Sequence, residues 1–212
     1  MKGRPFLLNM VKPCTGLTPE EGAKIFYQTA LGGVDFIKDD ELLGNPSYSH
    51  PADRVKAFRK AAKAAYEESG NNVKYFVNVT SGTAEIMDNV KAVEDAGADG
   101  IMINFAAVGY SVLKQVAEET NLPILGHAAG SGMVYEGTLN GMSSPLAVGK
   151  LARLAGADIV MVNTPYGGYP LSYQKYMQTI EQLVLPFYHL KASMPSIGGG
   201  VHPGMVEKYF KR

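Results

Sequence analysis

Tryptophan is absent from this 212-residue chain, and cysteine occurs once, at Cys14. A single thiol excludes an internal disulfide and suits a reducing compartment. Neither sign of charge is in excess: 20 basic residues stand against 20 acidic ones. With no basic run, the chain lacks the electrostatic footprint of a nucleic-acid or membrane-surface binder. Long apolar runs are missing too. Lys2 and Arg4 precede an apolar stretch from Phe6 to Val11, but Asn9 interrupts it, and it is too short for a signal-peptide core. No segment approaches the length of a bilayer span. The expectation is a cytoplasmic protein with neither a nucleic-acid nor a membrane partner. Nor is there a linker: the 24 glycines fall in short clusters between periodic segments. The chain reads as one domain.

What is present is an alternation of short apolar runs and longer amphipathic ones. Phe6 to Val11 predicts a strand, and Thr18-Pro19-Glu20-Glu21 opens a helix with a capping box and a proline in its first turn. Further strands are expected at Gly33 to Lys38, Val73 to Val79, Gly100 to Asn104, Pro123 to His127, Ala157 to Asn163 and Lys191 to Ile197. Between them lie helices at Ala52 to Glu68, Ala84 to Ala96, Ser111 to Thr120 and Tyr173 to Leu185, and one capped by Ser144-Pro145 that runs to Ala155. A last helix starts near His202 or Pro203. Apolar strands spaced by helices indicate a parallel sheet covered by helices. Seven βα units are visible, against the eight of a closed TIM barrel of about 250 residues. A doubly wound sheet is the alternative, but no early strand leads into a dinucleotide-binding glycine turn. The fold class is therefore α/β, a TIM-type barrel one unit short.

In such a barrel the C-terminal strand ends converge on one mouth. Those ends carry Lys12, Lys38 with Asp40 and Glu41, Asn78, Asn104, His127, Asn163 with Thr164, and Gly198 to Gly200. Turn chemistry explains asparagine, threonine and glycine, but it explains two lysines and a histidine after apolar runs poorly. Strand alternation puts Lys38 and Asp40 on one side and Asp39 on the other. Glu41 follows in the turn and can swing back beside Asp40. Two adjacent carboxylates repel unless a cation sits between them, and oxygen ligands favour Mg2+. Lys38 could also neutralise the pair directly. Elsewhere, His50 before Pro51 reads as solvated and His189 as structural. His202 lies near the glycine turn, and Cys14 reads as a packed or exposed thiol.

The stretch Gly32-Gly33-Val34-Asp35-Phe36-Ile37-Lys38-Asp39-Asp40-Glu41 resembles the metal-site motif of the RuBisCO large-subunit family. Lys12-Pro13 with Gly16-Leu17 resembles its strand-one signature, and Asn78-Val79-Thr80 with Gly82-Thr83 its strand-three segment. His127 falls where strand five carries a histidine. The likeness runs in order from Lys12 to Met205. It implies that Lys38 takes up CO2 as a carbamate and holds Mg2+ with Asp40 and Glu41. Lys12 would act at the substrate carbonyl and His127 as a second polar or acid–base contact. Gly199 and Gly200 would present backbone N–H groups to a phosphate, with Asn78 and Thr164 as further substrate contacts.

Three departures separate the chain from the carboxylating members. Gly168 stands where the loop after strand six carries a lysine, Ala128 replaces an arginine, and Gly198 replaces a serine. The resemblance therefore implies a RuBisCO-like protein (form IV), a Mg2+-dependent enolase or isomerase without carbon fixation. Tyr166-Gly167 and Gly200-Val201-His202-Pro203-Gly204-Met205 resemble the branch that enolises 2,3-diketo-5-methylthiopentyl-1-phosphate, whereas Lys12-Pro13 is closer to other branches. Residues 1–212 would be the C-terminal barrel, without the family's N-terminal domain and strand eight, and the full-length member would be a homodimer. Three alternatives stand beside this one: decarboxylation of a β-keto sugar-acid phosphate through the same enolate, a different phosphosugar-binding barrel, and a catalytically inert barrel fragment.

Overall fold

A computed structural model of the chain describes residues 3–210, so Lys2 lies outside the described residues. Seven parallel strands form one sheet in sequence order, each paired with the next. They are β1 (Leu8–Met10), β2 (Phe36–Lys38), β3 (Lys74–Asn78), β4 (Gly100–Asn104), β5 (Ile124–His127), β6 (Ile159–Asn163) and β7 (Met194–Gly198). The helices are α1 (Pro19–Leu31), α2 (Pro51–Ser69), α3 (Ile86–Asp95), α4 (Phe105–Val108), α5 (Tyr110–Glu119), α6 (Gly132–Tyr135), α7 (Leu151–Leu154), α8 (Tyr173–Val184) and α9 (Val206–Phe210). The curled seven-stranded sheet with its alternating helices is an incomplete α/β barrel, as the sequence predicts.

The register explains the two apolar layers. Residues that alternate along each strand face opposite ways. Ile37, Tyr75, Val77, Ile101, Ile103, Ile124, Val160 and Val162 face the helices and form the main core with Phe26, Val55, Phe58, Leu113 and Leu183. Phe76, Met102, Leu125 and Ile159 face the other way and pack with Leu8, Phe36 and Met161. The same inner face carries Lys38, Asn78, Asn104, His127 and Asn163 at the strand ends, stepped along the sheet by the register: Lys38 is level with Phe76, Asn78 with Met102, and Asn104 with His127. The apolar layer is thus the floor beneath the polar mouth.

α1 and α2 show how local chemistry fixes the wall next to that mouth. Thr18 accepts from the Glu21 N–H while the Glu21 carboxylate accepts from the Thr18 N–H at 2.9 Å, a complete capping box. α1 buries Gly22, Phe26 and Ala30, and Phe26 packs on Phe58 of α2 with tilted rings whose centroids are 5.0 Å apart. α2 ends at Gly70, whose φ of 69° is the left-handed value glycine adopts freely.

One expected cap is corrected. Ser144 has helical torsions and makes no capping bond, and its buried hydroxyl has no partner. The first turn hangs instead from the Ser143 carbonyl, which accepts from Leu146 and Ala147. The Ser-Pro pair lies one residue inside the start. The segment Pro145–Lys150 is a π-helical turn that continues into α7.

Candidate functional site

Lys12, Lys38, Asp40, Glu41 and His127 come together at the strand ends in two neighbouring contact groups, Lys12–Asp40 and Lys38–Glu41–His127. Lys12 Nζ donates to Asp40 Oδ2 at 2.6 Å and to Cys14 Sγ at 3.0 Å. Lys38 Nζ lies 3.5 Å from Glu41 Oε2 and donates to the Asp39 carbonyl at 3.0 Å. His127 Nε2 lies 3.5 Å from the same Glu41 oxygen. Lys38 and Asp40 are 2% and 1% exposed, so they do not sit in a solvated charged turn.

Burial sets the electrostatics. Desolvation lowers the Lys38 pKa, against the opposing pull of Glu41 and Asp40. Burial acts to raise the Asp40 carboxyl, but the Lys12 ammonium and the Leu42 N–H outweigh it and hold the group below the usual carboxylate value. Lys12, bonded to Asp40 and Cys14, is raised above an ordinary lysine. Burial, reinforced by the nearby Lys38 charge, pushes His127 down to about 4. His127 is therefore neutral at pH 7. Because its Nδ1 accepts from the Ala129 N–H at 3.1 Å, the proton resides on Nε2, which faces Glu41.

Can this set hold a divalent ion? Among the described residues no group of three His, Cys, Asp or Glu side chains is arranged to hold a metal. Asp40 and Glu41 supply two carboxylates, and Lys38 beside them would supply a third oxygen ligand if it were modified. Lys38 suits that chemistry, because reaction with CO2 consumes a neutral amine and desolvation favours the neutral form. The residues fit a Mg2+ ion held by two carboxylates and a lysine carbamate.

A network the motif reading missed lies on the opposite side of β2. The buried Asp39 carboxylate accepts from Arg54 Nε at 3.0 Å, from the Tyr75 hydroxyl at 2.5 Å and from the Asn78 N–H at 2.8 Å. Arg54 is 1% exposed and also donates to the carbonyls of Ser49, Leu43, Gly44 and Asn78. The signal was in the sequence. An aspartate that faces the helix layer needs a buried donor, and Arg54 sits on the core face of α2 beside Val55 and Phe58.

Asn78 lies beneath the mouth, against the turn that follows β2. It is fully buried, and its amide donates to the Asp40 and Glu41 carbonyls at 3.1 Å while its Oδ1 accepts from the Thr80 N–H. Those bonds hold the Asp40–Glu41 turn and occupy both amide hydrogens. Asn104 keeps a buried Oδ1 without a partner at the mouth.

Thr164, Gly199 and Gly200 form a separate contact group. The Thr164 hydroxyl donates to the Gly199 carbonyl at 2.8 Å, and its N–H donates to the Gly198 carbonyl. Gly199 and Gly200 have φ of 88° and 70°, and a Cβ on Gly200 would come within 3.0 Å of Gly167 Cα. Glycine is required there by torsion and by the close approach of the β6 loop. His202 precedes the short 3-10 turn Pro203–Met205, and His50 pairs with Asn45 at the start of α2. No helix among the described residues is long and apolar enough to cross a membrane.

Comparison with known proteins matches this geometry. The chain is 42% identical over 210 residues to a ribulose bisphosphate carboxylase-like protein of Archaeoglobus fulgidus, covering 98% of the chain and 48% of that protein. It is 36% identical over 205 residues to a 2,3-diketo-5-methylthiopentyl-1-phosphate enolase of Bacillus cytotoxicus, covering 96% of the chain and 50% of the enzyme. Among solved structures, a rubisco-like protein of Alicyclobacillus acidocaldarius superposes with a TM-score of 0.91 at 32% identity, over 99% of this chain and 54% of that one. A dimeric archaeal Rubisco of Hyperthermus butylicus gives 0.85 at 30%, over 97% and 52%. The chain spans about half the length of the curated relatives it matches. The family model for the ribulose bisphosphate carboxylase large chain, catalytic domain, matches residues 1–212, and the chain belongs to that family, in its RuBisCO-like (form IV) branch.

Proposed function

We propose that this chain carries the enolising site of a RuBisCO-like enzyme that acts on a small phosphorylated keto or diketo compound, with 2,3-diketo-5-methylthiopentyl-1-phosphate as the leading candidate. The observation that carries this reading is the convergence of Lys12, buried Lys38, Asp40, Glu41 and neutral His127 at one mouth. Relatives of about one-third identity bear the name of that enolase.

Lys38 as its carbamate, Asp40 and Glu41 would hold Mg2+, which supplies Lewis-acid stabilisation of charge on a substrate oxygen. Lys12 reaches the same mouth from β1. While it is paired with Asp40 it keeps its proton and serves as a donor at the carbonyl oxygen that becomes the enolate. The base for the α-proton would be Lys12 once its contact with Asp40 breaks, or Lys38 in its modified form. His127 offers its Nε2 proton to a substrate oxygen, its Nδ1 being held by the Ala129 N–H. The Gly199–Gly200 turn, whose glycines leave the backbone bare of side chains and permit its positive φ values, receives the phosphate. Gly168 in place of the loop lysine leaves the enolate without a group to polarise CO2, so carbon fixation is not expected. The full-length protein would work as a homodimer.

The test is solvent-deuterium incorporation at the α-carbon of the phosphorylated diketone, followed by NMR with and without Mg2+. Exchange should require Mg2+ and bicarbonate and be lost in Lys38→Ala. Exchange in Lys38→Ala that equals the parent and still depends on Mg2+ would refute the role given to Lys38.

A further inference from the structure

The Asp39–Arg54 network lies behind the metal-site residues, and every bond of the guanidinium ends on the β2 turn, the loop that follows it, or the end of β3. Asp39 sits between Lys38 and Asp40. Because consecutive strand residues point to opposite faces, a rotation at residue 39 would swing both neighbours at the mouth. Three donors prevent that rotation: Arg54 Nε, the Tyr75 hydroxyl and the Asn78 N–H. The second arm of Arg54 fixes the carbonyls of Leu43 and Gly44, just beyond Glu41. Asn78, held through its own carbonyl by Arg54, closes the loop by donating to the Asp40 and Glu41 carbonyls.

Resting on the metal-site reading above, we propose that Arg54 and Asp39 form a buried positioning pair that presents Lys38, Asp40 and Glu41 to a divalent cation in one geometry. Arg54 touches no ligand; it acts through the backbone that carries them. Its fork is required because three nitrogens spread over five acceptors on four segments of chain, and a lysine ammonium is a single nitrogen with three donors. Losing outer-shell support of this kind typically costs about 10- to 100-fold in metal affinity.

The protein contains its own control. Arg153 is also buried and wraps the carbonyls of Gln182, Leu185, Leu190 and Lys191, but none of these belongs to the metal-site turn. A merely structural role would make the two arginines equivalent.

The experiment is a Mn2+ titration followed by electron paramagnetic resonance, with bicarbonate present, on the parent chain, Arg54→Lys and Arg153→Lys, alongside thermal unfolding of each. Both variants should lose stability. Arg54→Lys should bind Mn2+ at least about tenfold more weakly, and Arg153→Lys should bind it as the parent does. Parent-like affinity in folded Arg54→Lys, or an equal loss in Arg153→Lys, overturns the inference. Should Arg54→Lys not fold, Tyr75→Phe removes the hydroxyl that donates to Asp39 and keeps the ring packed on Phe26 and Phe58. It should weaken Mn2+ in the same direction, and unchanged affinity there overturns the inference equally. A parent that binds no Mn2+ defeats the metal-site reading itself, a result distinct from parent binding that Arg54→Lys leaves untouched.

Discussion

His127 contributes to stability through the proton it refuses. Its folded pKa of about 4 lies below the roughly 6.5 of an unfolded histidine. The unfolded chain therefore takes up a proton first as the pH falls, and the folded state loses stability relative to it. The sign is fixed: this contribution is fully present above about pH 6.5 and disappears as the pH drops towards 4. At about 1.4 kcal/mol per pH unit the whole loss is on the order of 3 kcal/mol. Urea unfolding of the parent and of His127→Gln between pH 7 and pH 4 checks it. The parent should lose stability relative to the variant across that window and run parallel to it below. A gap that stays constant from pH 7 to pH 4 would mean that His127 charges freely in the folded state. Asp40 acts lower on the scale. Its lowered pKa stabilises the fold above the ordinary carboxylate range, so the two residues separate by pH.

At the scale of elements, α1 depends on its capping box. Thr18→Ala removes the acceptor for the Glu21 N–H and should cost about 1 kcal/mol, read as a lower urea midpoint with an unchanged slope. The same motif logic misled at Ser144, and the contrast shows what was legible. Thr18 keeps extended torsions before its proline, so the pattern and the structure agree. Ser144 is already helical because the Ser143 carbonyl starts the turn, and no composition rule distinguishes the two cases. Strand order and parallel pairing were readable from the alternation of short apolar runs with amphipathic ones. Strand ends were less so: β1 and β2 keep three residues each, fewer than their apolar runs suggest. Within the site, Lys38 and Asp40 were readable because strand periodicity assigns their face. Asn78 was not, since only the fold reveals that its amide is taken up by two carbonyls of the neighbouring turn. Arg54 is a case of partners far apart in sequence: Asp39 announced a need that the local pattern could not match to a donor fifteen residues on.

The open sheet gives the whole molecule two edges among the described residues, β1 and β7. Exposed edges invite pairing with another chain, and the formal net charge of zero at pH 7 gives no repulsion to prevent it. β1 limits the hazard by being three residues long. β7 is longer and relies on Pro195. In a parallel strand the N–H and C=O of one residue point to the same side, and the side alternates with each residue. The Met194 N–H donates to the Asp158 carbonyl and so faces β6. Residue 195 therefore faces the open side, where proline has no hydrogen to offer. Pro195→Val would return a donor to that edge, next to the outward-facing Ile197, in a residue type that favours strands. Sedimentation equilibrium at pH 7 should then show a higher weight-average mass in the variant than in the parent at equal concentration. The difference should shrink at pH 9, where net negative charge separates the chains. Identical masses at both pH values would show that the free edge is not what limits self-association.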